Sequence, residues 1–217
     1  MKWSYSSLKK FATCARQYNE VRIKKNFIEQ ESPAMAYGKN VHTALEEYVI
    51  DGVPLPSNYA PYQKYMDVIK EIPGVKYPEM QMALKEDKIP CDFEDEDYWV
   101  RGIGDLIIID NTDGYYIDYK TGNDRYADVN QLKLMSAMMF IYFPEVNHIK
   151  AGLLFITKNS FINEEYDRKD LNKLWLAFYG DLVRLEQSIK ENYWPPNPSG
   201  LCKRHCVVAT CEHHGRG

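Results

Sequence analysis

The chain has no excess of positive charge: 27 lysines and arginines stand against 31 aspartates and glutamates, a formal net charge of −4. That excludes a protein that coats nucleic acid or membrane through bulk charge, so any such binding has to come from a local basic patch. No apolar run approaches the roughly 18 residues of a membrane span, and Met1-Lys2-Trp3-Ser4-Tyr5 lacks the apolar stretch of a secretory signal. The expectation is a cytoplasmic protein without a membrane partner. Five cysteines, an odd number, do not make a disulfide framework and point instead to metal ligation, reactivity or burial. There is no Gly-x-x-x-x-Gly-Lys phosphate loop, so any ATP-driven helicase activity has to come from a partner. Internal repeats and low-complexity segments are also missing.

With 217 residues, 45% of them hydrophobic and 27% charged, the chain can bury the core of one ordinary domain. Helical spacing of Leu8, Phe11, Ala12, Ala15, Tyr18 and Val21 behind a serine-rich start predicts a first helix over about 4–25. A second begins near Ser32-Pro33 with Val41, Leu45, Tyr48 and Val49 as its buried stripe, and a third covers about 59–72. The pattern then changes to period two over 79–84, 98–110 and 115–120, with Asn111-Thr112-Asp113-Gly114 as turn chemistry between the last two. A helix over about 127–141, strands near 149–157 and 161–166, and a long helix carrying Leu171, Leu174, Trp175, Phe178, Leu182, Leu185 and Ile189 complete the order. This is a mixed α/β sandwich.

Two acids interrupt the β-rich segments. Asp105 follows Gly102-Ile103-Gly104, and Asp118 opens Asp118-Tyr119-Lys120-Thr121-Gly122 thirteen residues later. A four-residue hairpin loop would set Ile107 opposite Asp118 and Asp105 opposite Lys120, with both carboxylates and the amine on one face. Charges alternating along a solvated strand are commonplace, but these two acids lie within Leu106-Ile107-Ile108-Ile109 and Tyr115-Tyr116-Ile117 surroundings, where uncompensated charge is costly. A hard divalent cation would explain them, because Mg²⁺ takes carboxylate oxygens while keeping waters for a phosphate substrate. A lysine two residues after an acid shares its strand face and can orient or deprotonate an attacking water.

Cys202, Cys206 and Cys211 crowd a tail that begins after Trp194-Pro195-Pro196-Asn197-Pro198. Three soft ligands this close suit zinc or an iron–sulfur cluster, with a fourth ligand from elsewhere; unligated thiols are the remaining alternative. Cys91 reads as a buried thiol.

Asp105, the Asp118-Tyr119-Lys120 triplet and Gln131-Leu132, together with Tyr5-Ser6-Ser7-Leu8 through Phe11 to Cys14 and Gly38-Lys39-Asn40-Val41-His42, resemble the PD-(D/E)XK nuclease superfamily, in its RecB-type branch. The resemblance spans nearly the whole chain in order. It implies a restriction-endonuclease-like α/β core, a central mixed β-sheet flanked by helices, forming one domain over 1–217. It implies that His42, Asp105 and Asp118 bind the catalytic Mg²⁺ or Mn²⁺, with the Tyr119 carbonyl as an extra ligand, that Lys120 is the catalytic lysine, and that Gln131 positions substrate or water. Glu79, on the preceding strand, is a further acidic candidate. Where the family often has a tyrosine four residues after the glutamine, this chain has Met135.

CRISPR-adaptation nucleases and helicase–nuclease subunits of that branch hold a [4Fe-4S] cluster with one amino-terminal and three carboxy-terminal cysteines, and Cys14 with Cys202, Cys206 and Cys211 matches that distribution. The spacing of three and then four intervening residues departs from the common two and then five, and is similar to some phage-encoded relatives. Zn²⁺ on the three cysteines with His205, His213 or His214 is the rival. Such ligation would make 1–30 and 195–217 a metal–sulfur region stapling the chain ends and joining Lys9, Lys10, Arg16, Arg22, Lys24 and Lys25 to Lys203 and Arg204 as a phosphate-binding patch. The functional expectation is a metal-dependent DNA exonuclease acting on single strands or duplex ends in recombination, repair or phage DNA processing, in a prokaryotic or phage-infected cell, with a helicase or recombination partner. A non-catalytic DNA-binding or assembly subunit with the same fold is the alternative.

Overall fold

The computed structural model describes residues 1–216, so the last residue of the expected carboxy-terminal region lies outside the described residues. The chain divides into two compact units: Met1–Glu31 with Phe178–Gly217, and Ser32–Ala177.

In the first unit, α1 (Tyr5–Thr13) starts at a capping box in which Ser4 and Ser7 satisfy each other's backbone N–H groups, and it buries Leu8 and Phe11. The single helix expected over 4–25 is broken. Cys14 takes an extended conformation (φ −163°, ψ 109°), after which α2 (Ala15–Tyr18) leads into a π-helical turn over Asn19–Ile23. The break is held from outside: the Arg16 N–H donates to the Pro195 carbonyl at 3.3 Å, and the Asn197 side-chain amide donates to the Thr13 carbonyl at 3.0 Å. Trp194, before this proline-rich segment, stacks on Tyr18 at a centroid distance of 6.1 Å. Tail and first helices therefore share an aromatic core.

The second unit contains α3 (Pro33–Asp51), α4 (Gln63–Glu71), β1 (Val75–Leu84), β2 (Pro90–Cys91), β3 (Val100–Asp110), β4 (Asp113–Lys120), α5 (Asn130–Tyr142), β5 (His148–Phe155) and β6 (Ser160–Asp167). Helix α6 (Leu171–Glu191) is divided between the units, and α7 (Leu201–Arg204) belongs to the tail. Ser32 caps α3 by accepting from the Met35 N–H, Pro33 opens it, and Gly52 ends it at φ +67°. Ile189, expected in the buried stripe of α6, is exposed, because the apolar face ends a turn before the helix does. No described helix is long and apolar enough to cross a membrane.

The six strands form one mixed sheet in the order β2-β1-β3-β4-β5-β6, antiparallel except for β4 and β5, which run parallel with α5 as their connection. One face packs Leu106, Ile108, Ile117, Tyr119, Leu154 and Ile156 against Val41 and Leu45 of α3 and Met66 and Ile69 of α4. The other face carries α5, which is apolar all round and buries Leu132 and every residue from Leu134 to Phe140. The sheet is thus flanked by helices on both faces.

The β3–β4 turn differs from expectation. Asp110 pairs with Asp113, so only Asn111 and Thr112 make the turn, with Asn111 left-handed at φ +53°. The register moves by two residues, and Asp105, not Ile107, stands level with Asp118. Gly114, expected in the turn, lies inside β4, where a Cβ would come within 3.2–3.3 Å of Val146, Ile149 and Met139. Its role is close packing under α5. Cys91 is half-buried on the short β2, not fully buried, because that strand is at the sheet edge.

Candidate metal and catalytic site

The strand alternation that should put alternate residues of β3 on one face fails at Asp105. A Cβ at Gly102 or Gly104 would meet Met135 of α5, yet Leu106 and Ile108, of the same parity, belong to the core under α3 and α4. Across this slip neither Asp105 nor Glu79 has a ladder partner: pairing with β1 skips from Pro78–Leu106 to Met80–Gly104, and pairing with β4 stops at Leu106–Ile117. Glu79 is left-handed at φ +46° inside a strand, a conformation that costs a non-glycine residue about 1–2 kcal/mol. Asp105 repairs the opened ladder with its side chain, Oδ2 accepting the Tyr119 N–H at 2.7 Å.

His42 of α3 completes this end of the sheet. Its Nε2 is 3.0 Å from the Tyr119 carbonyl, and its Nδ1 is 3.4 Å from Asp105 Oδ2. One ligand atom each from His42, Glu79 and Asp105 lies within 4.8 Å of the other two, and His42 and Glu79 line a pocket with Gly38, Lys39, Thr43 and Glu46. Of the four positions expected to hold metal, the structure therefore brings together His42, Asp105 and the Tyr119 carbonyl, and adds Glu79 at full rank.

Asp118 is buried on the opposite side of its strand from the Ile117 and Tyr119 side chains and has its own partners. Tyr116 donates its hydroxyl to Oδ1 at 2.9 Å, Gln131 donates its amide N–H to the same oxygen, and the Lys120 ammonium pairs with Oδ2. Lys120 also donates to Gln131 Oε1 at 3.0 Å. Gln131, reaching down from the start of α5, thus locks the carboxylate and the amine against each other. Tyr116 was not anticipated, although its place two residues before Asp118 puts it on the same strand face. Met135 is buried against Gly102 and Gly104 and faces the core.

The electrostatics fit a cation. Burial, and then the Asp105 charge, push the Glu79 carboxyl up to about 7. Burial and Asp105 also raise Asp118, against the pull of Lys120. For His42, burial disfavours the imidazolium, but Asp105, Asp118 and Glu79 together outweigh it and hold the ring above its ordinary value. Glu79 and Asp118 are thus held back from ionisation by burial and by the Asp105 charge, and a divalent cation would offset both effects.

In the other unit, Cys14, Cys202, Cys206 and Cys211 line one small pocket with His213 and His214. Burial, followed by the neighbouring thiols, raises the Cys206 thiol, partly offset by a bond from the Val208 backbone. The backbone N–H groups of Asn197 and Ser199 point to Cys14 and Cys202 sulfur at 3.5 Å. His205 lines a different pocket, with Lys9, Lys10 and Glu29. Of the expected basic patch, Lys10 is ion-paired with Glu29 and Lys24 with Glu20.

No protein-family model and no curated protein matches the chain. Solved structures do. The chain is similar to a candidate exonuclease from Eubacterium rectale at a TM-score of 0.56 and 12% identity, over 93% of this chain and 85% of that one. It is also similar to the protein SSO0001 at a TM-score of 0.50 and 14% identity, over 98% and 86% respectively. At these identities the likeness is one of fold.

Proposed function

We propose that the chain is a Mg²⁺- or Mn²⁺-dependent deoxyribonuclease, an exonuclease that hydrolyses phosphodiester bonds at DNA ends or in single strands. The observation that carries this reading is the juxtaposition of a His42–Glu79–Asp105 cluster with a lysine ammonium clamped between Asp118 and Gln131. A cation-binding acid cluster needs no such lysine, whereas phosphoryl chemistry uses a fixed positive charge beside the attacking water. The exonuclease name carried by a protein of the same fold supports it.

In this reading His42, Glu79, Asp105 and the Tyr119 carbonyl would hold the cation, which when bound would supply a Lewis acid and lower the pKa of its water, while Asp118, expected as a further ligand, instead holds Lys120. With two of its three N–H groups committed to Asp118 and Gln131, Lys120 directs the third at the attacking water and orients it, while its charge stabilises the charge that develops on a non-bridging phosphate oxygen. Tyr116 and Gln131 are positioning residues: both donate to Asp118 Oδ1, and Gln131 also accepts from the ammonium, fixing its direction. Unwinding of duplex DNA, which needs ATP, falls to a helicase or recombination partner.

We also propose that Cys14, Cys202, Cys206 and Cys211 hold a [4Fe-4S] cluster that ties the helix break at Cys14 to the tail, a structural clamp of the kind that metal–thiolate ligation provides. Convergence of four thiols on one pocket, two of them receiving backbone N–H groups, supports this. Anaerobically purified protein should be brown, with absorbance near 400 nm that disappears in Cys206→Ser; a colourless protein with one equivalent of zinc replaces the cluster by zinc on His213 or His214.

The nuclease reading is tested with DNA labelled at the 5′ or 3′ end, single- and double-stranded, in Mg²⁺ or Mn²⁺. Progressive shortening is expected from the parent protein and none from Lys120→Ala. Intact DNA across a range of salt, with binding retained, would move the chain to the non-catalytic alternative, and cutting by Lys120→Ala at the parent rate would remove the mechanism.

A further inference from the structure

The loop over residues 121–129 leaves the site at Lys120 and returns to it at Gln131, and the side chains of those two residues are bonded to each other at 3.0 Å. Its first residue is fixed: Thr121 Oγ1 lies 3.1 Å from where a Cβ on Gly38 of α3 would stand, one turn from His42, and the Thr157 hydroxyl donates to the Thr121 carbonyl at 3.3 Å. Its tip is a short 3₁₀ turn, Asp124–Tyr126, started by the Asn123 side chain accepting from the Arg125 N–H at 3.0 Å. The tip carries Arg125 and Tyr126 side by side, both exposed.

Tyr126 is 82% exposed, whereas Tyr59, Tyr116 and Tyr119 of the same unit are buried. A ring held out in water forgoes the burial that an aromatic side chain normally obtains, and here it does so on a loop hung from the two residues that clamp Asp118. Helix α5 offers no substitute, since the residues from Leu134 to Phe140 face the core. A flat ring beside a guanidinium is the pair of groups that meets single-stranded nucleic acid: the ring takes the face of a base and the guanidinium takes the phosphate. Bases within a duplex have no free face to offer.

Resting on the nuclease reading, we propose that Tyr126 stacks on a base adjoining the scissile phosphodiester, with Arg125 on the neighbouring phosphate, so that the site accepts single-stranded or frayed DNA in preference to a paired end. The experiment uses the full chain with a single-stranded oligonucleotide containing 2-aminopurine, whose fluorescence falls when its base is stacked, in EDTA for binding and in Mn²⁺ for cleavage. The parent and Tyr126→Phe should quench the probe equally. Tyr126→Ala should not quench it and should bind about 5- to 150-fold more weakly, the effect of removing one base–aromatic stack, while its affinity for a blunt duplex and its unfolding midpoint stay those of the parent. Quenching by Tyr126→Ala at the parent level, a loss in Tyr126→Phe as large as in Tyr126→Ala, or equal losses on single strand and blunt duplex would each overturn the proposal. A parent protein that cuts DNA while Tyr126→Ala is indistinguishable from it sinks the stacking alone. A parent that neither binds nor cuts sinks the nuclease reading beneath it.

Discussion

Glu79 offers the sharpest test of the acid cluster, because its effect on stability reverses sign with metal. Its carboxyl titrates near 7 in the folded protein instead of the ordinary 4.5, through burial and then the charge of Asp105. A folded-state value raised above the unfolded one means that the native protein holds a proton the unfolded chain has released, so stability falls as pH rises from about 4.5 to about 7 and stays reduced above that. Fully dry, such a group would cost the fold about 3 kcal/mol at pH 8; Glu79 lies in an open cleft, and solvent screening reduces this to about 1–2 kcal/mol. Glu79→Gln preserves shape and removes the charge. Measured by urea unfolding in EDTA, it should stabilise the protein by about 1–2 kcal/mol at pH 8 and leave it within about 0.5 kcal/mol of the parent at pH 4, where Glu79 is protonated in both states. Adding Mn²⁺ should invert the ranking at pH 8: the parent gains stability from binding and the variant gains less. Equal stability of the two proteins at both pH values without metal, or equal Mn²⁺-induced shifts, would refute the cluster as a cation site.

Other consequences are narrower. Mn²⁺ should raise the parent's melting temperature more at pH 8 than at pH 6, because Glu79 must lose its proton to act as a ligand; a shift independent of pH would exclude Glu79 from the ligand set. Gln131→Ala should lower kcat for DNA cleavage by tenfold or more with KM little changed, since it removes the group that aims Lys120; a change confined to KM would make Gln131 a substrate contact. Gly74→Ala should cost about 2 kcal/mol or more in chemical unfolding, because Gly74 has φ +114° and a Cβ there would stand 2.4 Å from the Ile109 carbonyl oxygen; a neutral effect would mean that the β1–β3 edge yields freely.

Much of the fold was legible because burial follows simple periods. The serine and proline before α3, the apolar stripe of α3, the period-two strands and the apolar α5 are local signals, and each element formed within a few residues of its expected place. The first helix departs from its sequence pattern for a tertiary reason: nothing between Leu8 and Val21 breaks helical periodicity, and the interruption at Cys14 is held by Pro195 and Asn197, nearly the whole chain away. The turn is shorter than its sequence suggests because Gly114 resembles a turn glycine, whereas its lack of a side chain is used to admit Val146, Ile149 and Met139.

The site itself was legible in type more than in arrangement, and Glu79 shows why. Asp105, Asp118 and Lys120 announce themselves as charges in apolar strands, but Glu79 sits in Tyr77-Pro78-Glu79-Met80-Gln81, where a glutamate is unremarkable. What brings it to the cluster is the slip in alternation at Asp105, and that slip has a sequence cause visible only afterwards. Gly102 and Gly104 let α5 approach closely through Met135, fixing one half of β3 toward that helix, while Leu106 and Ile108 are fixed toward α3 and α4. Two incompatible facings meet at one residue. The strand must open there, the ladder partners on both sides are lost, and the freed carboxylates of Asp105 and Glu79 turn to His42. The strain stored at Glu79 is thus the consequence of packing two helices on opposite faces of one strand, and the His42–Glu79–Asp105 cluster is what that packing leaves behind.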